Sequence, residues 1–386
     1  VSANAKPATF ARLLIDWQQH QGRHHLPWQG SHRDAYRVWL SEIMLQQTQV
    51  QTVIPYFQRF LARFPNLSAL ANASEQEVLA LWSGLGYYQR GRNLLACAKQ
   101  VHGRYGGKFP DTAQALAGLP GVGPSTAAAI AAIVYKERVA ILDGNVKRVL
   151  SRVTCADAPW GSPALERLLW REAQLRLPDE ANEMPVYTQA IMDLGAMICR
   201  AKAPLCDACP VRAHCAAHAA GVVSVYPKPK VKRLVPTKKA HWAVLCNSKT
   251  VWLAQQATQG IWPGLWVPWQ LDLEAMPMNW KQTVAGLQQV IDIKHAFSHY
   301  KLEISAGIIQ WPVSDGFVQS VRNALPDSRR DHHPVGAPKN LTCFGWHEAL
   351  ALPLPAPVRT LLLRLCPSET ASDDESRRNS RTKNVA

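Results

Sequence analysis

Acidic residues are scarce in this 386-residue chain: 28 Asp and Glu stand against 43 Lys and Arg, a formal net charge of +15. So basic a balance points to nucleic acid or an anionic membrane surface. Long apolar runs are missing as well. The longest, around Ala127–Val134, falls well short of the ~20 residues that span a bilayer, and Val1–Phe10 lacks the apolar core of a signal peptide. A soluble, unexported protein without a membrane partner is expected. Cysteines number nine, and they are not distributed as a disulfide framework would need. Four cluster at Cys199, Cys206, Cys209 and Cys215, and the other five are scattered singly through apolar segments. In an unexported chain that clustering favours metal ligation. At 47% hydrophobic, the chain can bury the cores of two domains.

What is present is organised around Leu119–Arg148, LPGVGPSTAAAIAAIVYKERVAILDGNVKR. Gly121 and Gly123 are expected at positive-φ positions of a hairpin, Pro124 presets the first turn of a helix, and Thr126–Val134 continues it. Backbone N–H groups left free at such a turn form an anion cradle, which in a basic chain suits a phosphodiester. The apolar run Val139–Leu142 then delivers Asp143 to a Gly-Asn turn and a second helix. A phosphate grip and a carboxylate thus sit one helix apart.

Helical spacing also marks Pro7–His20, Ala35–Gln46, Val53–Phe64, Glu75–Trp82, Arg92–Gln100 and Pro185–Ile198. In the second of these Glu42 is out of place, with Val38, Trp39 and Leu45 as its helical neighbours. Desolvation there raises a carboxyl pKa, as a general acid working near neutral pH requires; a buried Glu paired with an arginine is the plainer alternative. Gln46–Gln49 sets amides and a hydroxyl where hydrogen bonding to base edges, or a solvated turn, would use them. In Gly84–Tyr88 glycines expose two aromatics next to Arg90 and Arg92, a composition suited to base stacking, although such tyrosines are more often core. The clustered cysteines are separated by gaps of six, two and five residues. Zinc usually takes two close pairs and only one exists here, so the spacing favours a [4Fe–4S] cluster. Tyr226–Lys239 reads as an extended, charged linker. Beyond it the period changes. A hairpin of His241–Cys246 and Thr250–Gln255, a helix over Asn279–Ile291, a strand over Leu302–Gln310 and a helix ending at Thr360–Leu365 make an α+β domain, with an irregular stretch at Ser314–Lys339.

Together these pieces resemble the MutY-type adenine DNA glycosylases of the helix-hairpin-helix superfamily. The resemblance is carried by LPWQ (Leu26–Gln29), WLSEIMLQQTQV (Trp39–Val50), GLGYYQRGRNL (Gly84–Leu94), LPGVGPST (Leu119–Thr126), LDGNVKRVL (Leu142–Leu150), QAIMDLGAMIC (Gln189–Cys199), the cysteine loop and HAFSH (His295–His299). It implies an all-α helix-hairpin-helix catalytic domain over 1–224, with the hairpin near 116–132 and the cluster loop at 199–215. A linker at 225–239, an α+β Nudix-like domain at 240–365 and a disordered tail at 366–386 complete it. The implied substrate is double-stranded DNA with adenine opposite 8-oxoguanine or guanine, and the implied protein is a monomer of the bacterial cytoplasm and nucleoid.

By the same resemblance Glu42 protonates adenine N7, Asp143 stabilises the sugar cation and stays ionised at its helix start, and Asn145 supports Asp143. Gln189 and Trp28 line the adenine pocket, and Gln47 and Tyr88 fill or wedge the stack. Gly121, Gly123 and Ser125 belong to the hairpin that grips the phosphate, and Ser298, shaped by Phe297 and His299, reads 8-oxoguanine. Cys199, Cys206, Cys209 and Cys215 hold the [4Fe–4S] cluster. Leu271–Val290 lacks an Arg-Glu-x-x-Glu-Glu box, so the second domain should recognise DNA without hydrolysing nucleotides. Ala35 and His24 depart from the family's usual proline and basic residue. Two rivals remain: an endonuclease III-type enzyme, whose Schiff-base lysine would stand at Ser125, and a non-catalytic damage binder, which would need neither Glu42 nor Asp143.

Overall fold

A computed structural model describes residues 9–30, 34–230, 235–257, 259–271, 290–297, 299–310 and 341–367. The chain divides into two compact units. One holds Val1–Val78 and Gln89–Arg233, the other Leu79–Tyr88 and Leu234–Ala386. The division at Arg233 falls inside the expected linker, whose two ends are structured. Arg152 Nε donates to the Tyr226 carbonyl at 2.9 Å and Lys228 pairs with Asp157 at 3.0 Å, while Thr237 already opens a strand.

The first unit is helical: α1 Phe10–Gln21, α2 Ala35–Leu45, α3 Val50–Arg63, α4 Leu67–Ala71, α5 Glu75–Trp82, α6 Gln89–Arg104, α7 Ala113–Leu116, α8 Pro124–Tyr135, α9 Gly144–Val153, α10 Pro163–Gln174, α11 Met184–Asp193 and α12 Ala216–Ala219. The last residues of α5 cluster with the second unit. Local chemistry sets the helix starts. Thr9 Oγ1 accepts from Arg12 N, Asp34 Oδ1 from Tyr36 N, and Ser162 Oγ from Leu165 N ahead of Pro163. The stretch Ala127–Ala132 of α8 is buried throughout, which makes that helix the axis of the unit. Its core gathers Leu14, Ile141, Val149, Leu150, Leu169, Tyr187 and Ile191 from α1, α9, α10 and α11 and the strand-like run before α9. After Asp193 the chain tightens into a π turn, Leu194–Ile198, which ends at Cys199.

In the second unit a seven-stranded mixed sheet runs β3-β2-β1-β6-β5, with β4 on β1 and β7 on β2. The strands are β1 Thr237–Cys246, β2 Thr250–Gln255, β3 Trp266–Val267, β4 Trp269–Leu271, β5 Val290–Ala296, β6 Lys301–Gln310 and β7 Leu341–Gly345. Helices α13 Trp346–Ala351 and α14 Ala356–Leu365 pack Trp346, Val358, Leu361 and Leu362 against Trp242, Val244, Leu253, Ile304 and Ile308. The expected hairpin is there: Asn247 Oδ1 accepts from Lys249 N and Thr250 N, both at 2.8 Å, and turns β1 into β2. The expected helix over Asn279–Ile291 lies outside the described residues except for Val290 and Ile291, which open β5. The irregular Ser314–Lys339 and the tail from Ser368 lie outside them too. Among the described residues no helix is long and apolar enough to cross a membrane.

Candidate active site

A cavity of about 1200 Å³ opens in the helical unit. Its walls come from the end of α1, the Arg23–Gly30 segment, α2 and the turn after it, the start of α8, the start of α9, and α11. Seven residues singled out from sequence line it together: Trp28, Glu42, Gln47, Ser125, Asp143, Asn145 and Gln189. Trp28 is buried and meets the Phe57 ring edge-on at 5.3 Å, so its orientation is set by the core beneath it.

The two carboxyls are far from ordinary. Burial, and then the negative charge of Asp143, push the Glu42 pKa from 4.5 up to about 8. Asp143 is the N-cap of α9: its Oδ1 accepts from Val146 N at 2.7 Å and its Oδ2 from Asn145 Nδ2 at 3.4 Å. Burial nonetheless raises its pKa, against these hydrogen bonds and the nearby Arg148 cation, which lower it. A helix start alone therefore does not secure the low carboxylate pKa expected from sequence. The asymmetry between the two groups persists in direction. Asp143 has amide donors and a guanidinium that favour its anion, whereas Glu42 is raised by both burial and the charge of Asp143. As the pair loses protons, Asp143 ionises first.

Arg148 links this pair to the cysteine loop. Its Nη2 donates to Asn145 Oδ1 at 2.8 Å and to the Gly195 carbonyl at 2.7 Å, and its Nε donates to the Cys199 carbonyl at 2.8 Å. A Cβ on Gly195 would lie 2.6 Å from the Asn145 Cβ, so the π turn approaches α9 as only glycine allows.

The hairpin differs from expectation in one detail. Gly121 has φ +74°, and a Cβ there would meet Asn93 Cβ at 2.6 Å. Gly123 has φ −77° as the N-cap of α8, so its backbone does not require glycine. Ser125 Oγ accepts from Leu142 N at 3.0 Å and thereby staples the hairpin helix to the residue before Asp143. Gln46 Nε2 reaches Thr126 Oγ1 at 3.3 Å. The turn that carries Gln47 is held from below by Arg90, whose Nη1 donates to the carbonyls of Met44 at 2.9 Å and Gln46 at 2.6 Å and whose Nη2 donates to Thr48 Oγ1 at 3.1 Å. Gln47 itself sits in the left-handed region, φ +58°.

Tyr88 is buried, and its hydroxyl donates to the Leu354 carbonyl. Tyr87, at φ +50°, is the exposed ring, 58% accessible. In the second unit Phe297 stacks on Tyr300 at 4.6 Å and meets His295 at 4.7 Å, and its N–H donates to the Tyr300 carbonyl at 2.9 Å. His299 packs on Tyr300 at 4.7 Å, so a tight aromatic turn joins β5 to β6. Ser298 lies outside the described residues.

All four clustered cysteines are free thiols. Burial pushes Cys209 up to about 11, and the charges of Cys199, Cys215 and Cys206 push the same way. Arg152 Nη1 lies 3.3 Å from Cys199 Sγ. The donor set, all sulfur, fits iron–sulfur chemistry. Among the described residues, no three His, Cys, Asp or Glu side chains close on a single ion.

Sequence reasoning missed Arg23, Arg148 and Asp193. Asp193 carried the one available signal: like Glu42, it is an acidic residue inside an apolar helical pattern.

The profile of the HhH-GPD superfamily base excision DNA repair proteins matches residues 40–174, and that of the NUDIX domain residues 241–364. An adenine DNA glycosylase of Buchnera aphidicola subsp. Schizaphis graminum is 33% identical over 335 residues, 86% of this chain and 96% of the relative. One of Rattus norvegicus is 46% identical over 222 residues, 55% of this chain and 42% of the relative. A solved thermostable thymine-DNA glycosylase aligns with a TM-score of 0.47 at 25% identity, over 55% of this chain and 95% of that one.

Proposed function

The chain belongs to the adenine DNA glycosylase family, and we propose on that footing that its helical unit excises adenine paired with 8-oxoguanine or guanine by hydrolysing the N-glycosidic bond. The observation that carries this reading is the unequal pair of carboxyls in one cavity. Glu42, at about 8, remains protonated at neutral pH, and Asp143 is the group that ionises first.

The glycosidic carbon is out of reach inside a stacked duplex, so the nucleotide turns out of the helix into the cavity. The Gly121–Ser125 hairpin, in a chain of net charge +15, is assigned to hold the strand. The base enters beside Trp28 and Gln189. Glu42 gives its proton to adenine N7, so that the base leaves neutral. As the bond from the anomeric carbon to N9 breaks, the ionised Asp143 faces the sugar cation that forms, with Asn145 and Arg148 fixing its position; water then adds to the anomeric carbon and gives its proton to the Glu42 carboxylate, which restores the acid. Division of labour between a neutral acid and an anion follows the logic of glycoside hydrolysis. Gln47 and Tyr88 are the side chains assigned to fill or wedge the stack, with the exposed Tyr87 next to the latter.

Two observations support a hydrolase without strong lyase activity. Ser125 occupies the hairpin position of a Schiff-base lysine and is engaged with Leu142 N. Lys147, one turn beyond Asp143, is ion-paired to Glu166 and does not line the cavity. Cys199, Cys206, Cys209 and Cys215 hold a [4Fe–4S] cluster, which when bound supplies the positive centre that four neighbouring thiolates require and braces the loop after the π turn. In the second unit, Ser298 between Phe297 and His299 is assigned to 8-oxoguanine recognition.

The test is alkali-revealed cleavage of a duplex carrying one adenine opposite 8-oxoguanine, alongside the same duplex with thymine opposite. Cleavage at that adenine in the first duplex alone is expected. Equal cleavage of both, or of neither, refutes the assignment.

A further inference from the structure

Asp193 is fully buried on α11, yet it borders the cavity through its partners. Four donors converge on its carboxylate. The Arg23 backbone N–H lies 2.8 Å from Oδ2, Arg23 Nε and Nη2 lie 2.9 and 2.6 Å from Oδ1, and Gln189 Nε2 lies 2.8 Å from Oδ1. Both Arg23 and Gln189 line the cavity, whereas Asp193 does not.

A carboxylate engaged with a guanidinium can only accept hydrogen bonds, and an amide has a donor end and an acceptor end. The orientation of Gln189 is therefore decided by chemistry: turned over, its carbonyl oxygen would face the Asp193 oxygens. With Nε2 committed to Asp193, the end left to address the cavity is Oε1, an acceptor. On a purine, N7 and the 6-substituent share one edge. A base held with N7 at Glu42 thus presents its 6-substituent to the wall on that side. A 6-amino group donates to Oε1, whereas a 6-oxo group opposes oxygen to oxygen.

We propose that Asp193 is a positioning residue that sets the sign of base selection, by locking Gln189 with its carbonyl toward the cavity so that 6-aminopurines are accepted and 6-oxopurines refused. The inference rests on the glycosylase reading above and adds the device by which that site chooses its base. Arg23 completes the device. It neutralises the buried carboxylate and takes three of its four hydrogen bonds, which leaves Asp193 no freedom to swing away from Gln189.

The experiment compares single-turnover excision of adenine and of hypoxanthine, each opposite 8-oxoguanine in otherwise identical duplexes, by the full chain and by Asp193→Asn and Asp193→Glu. The parent is expected to favour adenine by about tenfold or more, the scale of one mispaired buried hydrogen bond. Asp193→Asn, whose amide allows Gln189 to turn over, is expected to bring the two rates within about threefold of each other, and Asp193→Glu to keep the preference. A merely structural role would slow both bases alike. An unchanged ratio in Asp193→Asn, or a parent indifferent to the two bases, overturns the proposal. Should Asp193→Asn fail to fold by circular dichroism, Gln189→Leu removes the acceptor while keeping the Arg23 pair, and an unchanged ratio there overturns it equally. Failure of the parent to release adenine at all would sink the glycosylase reading itself, a result distinct from adenine release with unaltered selectivity.

Discussion

Removal of the Glu42 proton donor, by pH or by Glu42→Gln, tests the chemistry most directly. Burial and the charge of Asp143 move this carboxyl from 4.5 to about 8. At 1.36 kcal/mol per unit, that is a penalty of several kcal/mol on the anion. Because the reaction needs Glu42 in its acid form, the single-turnover rate of adenine release is expected to fall tenfold per unit above about pH 8, and because it also needs Asp143 ionised, to fall again toward acid pH. Glu42→Gln keeps the shape and removes the proton, and a loss of about a hundredfold to ten-thousandfold is expected. The same shift predicts a stability effect of definite sign. A folded-state pKa above the unfolded value stabilises fully below about 4.5, and that contribution is lost as pH rises through about 8. Glu42→Gln does not titrate, so near pH 7 it should be the more stable protein, by up to about 3 kcal/mol, in chemical denaturation. A parent rate unchanged up to about pH 9.5, or a variant that keeps more than about a tenth of the parental rate, would refute the assignment of Glu42 as the acid.

Asp143→Asn should cut adenine release by roughly a hundredfold to a thousandfold while duplex binding in gel shifts is largely kept, since it removes the anion facing the sugar cation; release at the parental rate would contradict that role. Gly195→Ala forces a Cβ to within 2.6 Å of Asn145 Cβ. It should cost about 1–3 kcal/mol in thermal unfolding and lower single-turnover release, because the displaced residue supports Asp143. Ser298→Ala should narrow the preference for adenine opposite 8-oxoguanine over adenine opposite guanine, and an identical ratio in mutant and parent would remove Ser298 from recognition.

The site was legible in sequence wherever a residue broke its own local pattern. Glu42 among apolar helical neighbours, Asp143 at a Gly-Asn turn and four cysteines in one loop each announced themselves within a few positions. α5 ends where periodicity put it, and the β1–β2 hairpin follows from Asn247. What stayed hidden depends on partners far along the chain. Asp193 acquires meaning only from Arg23, 170 residues away in sequence, and Arg148 only from the carbonyls of Gly195 and Cys199. Tyr87 and Tyr88 are adjacent and identical, so composition could not tell which would be tied to Leu354 and which would face outward. The behaviour of Gly123 was misjudged because an N-cap and a tight turn both favour glycine, and only the dihedral separates them.

The grip of Arg90 on the turn after α2 has a consequence for how this molecule meets undamaged duplex. Three main-chain oxygens and a hydroxyl are clamped by one side chain, so the left-handed backbone at Gln47 is preassembled by the scaffold before any nucleic acid arrives. No binding energy has to be diverted to raise that residue into place. With Gln47 entering the stack as proposed, each passing base pair would meet a fixed blade drawn along a zipper, whose teeth part only where the pairing is already weak.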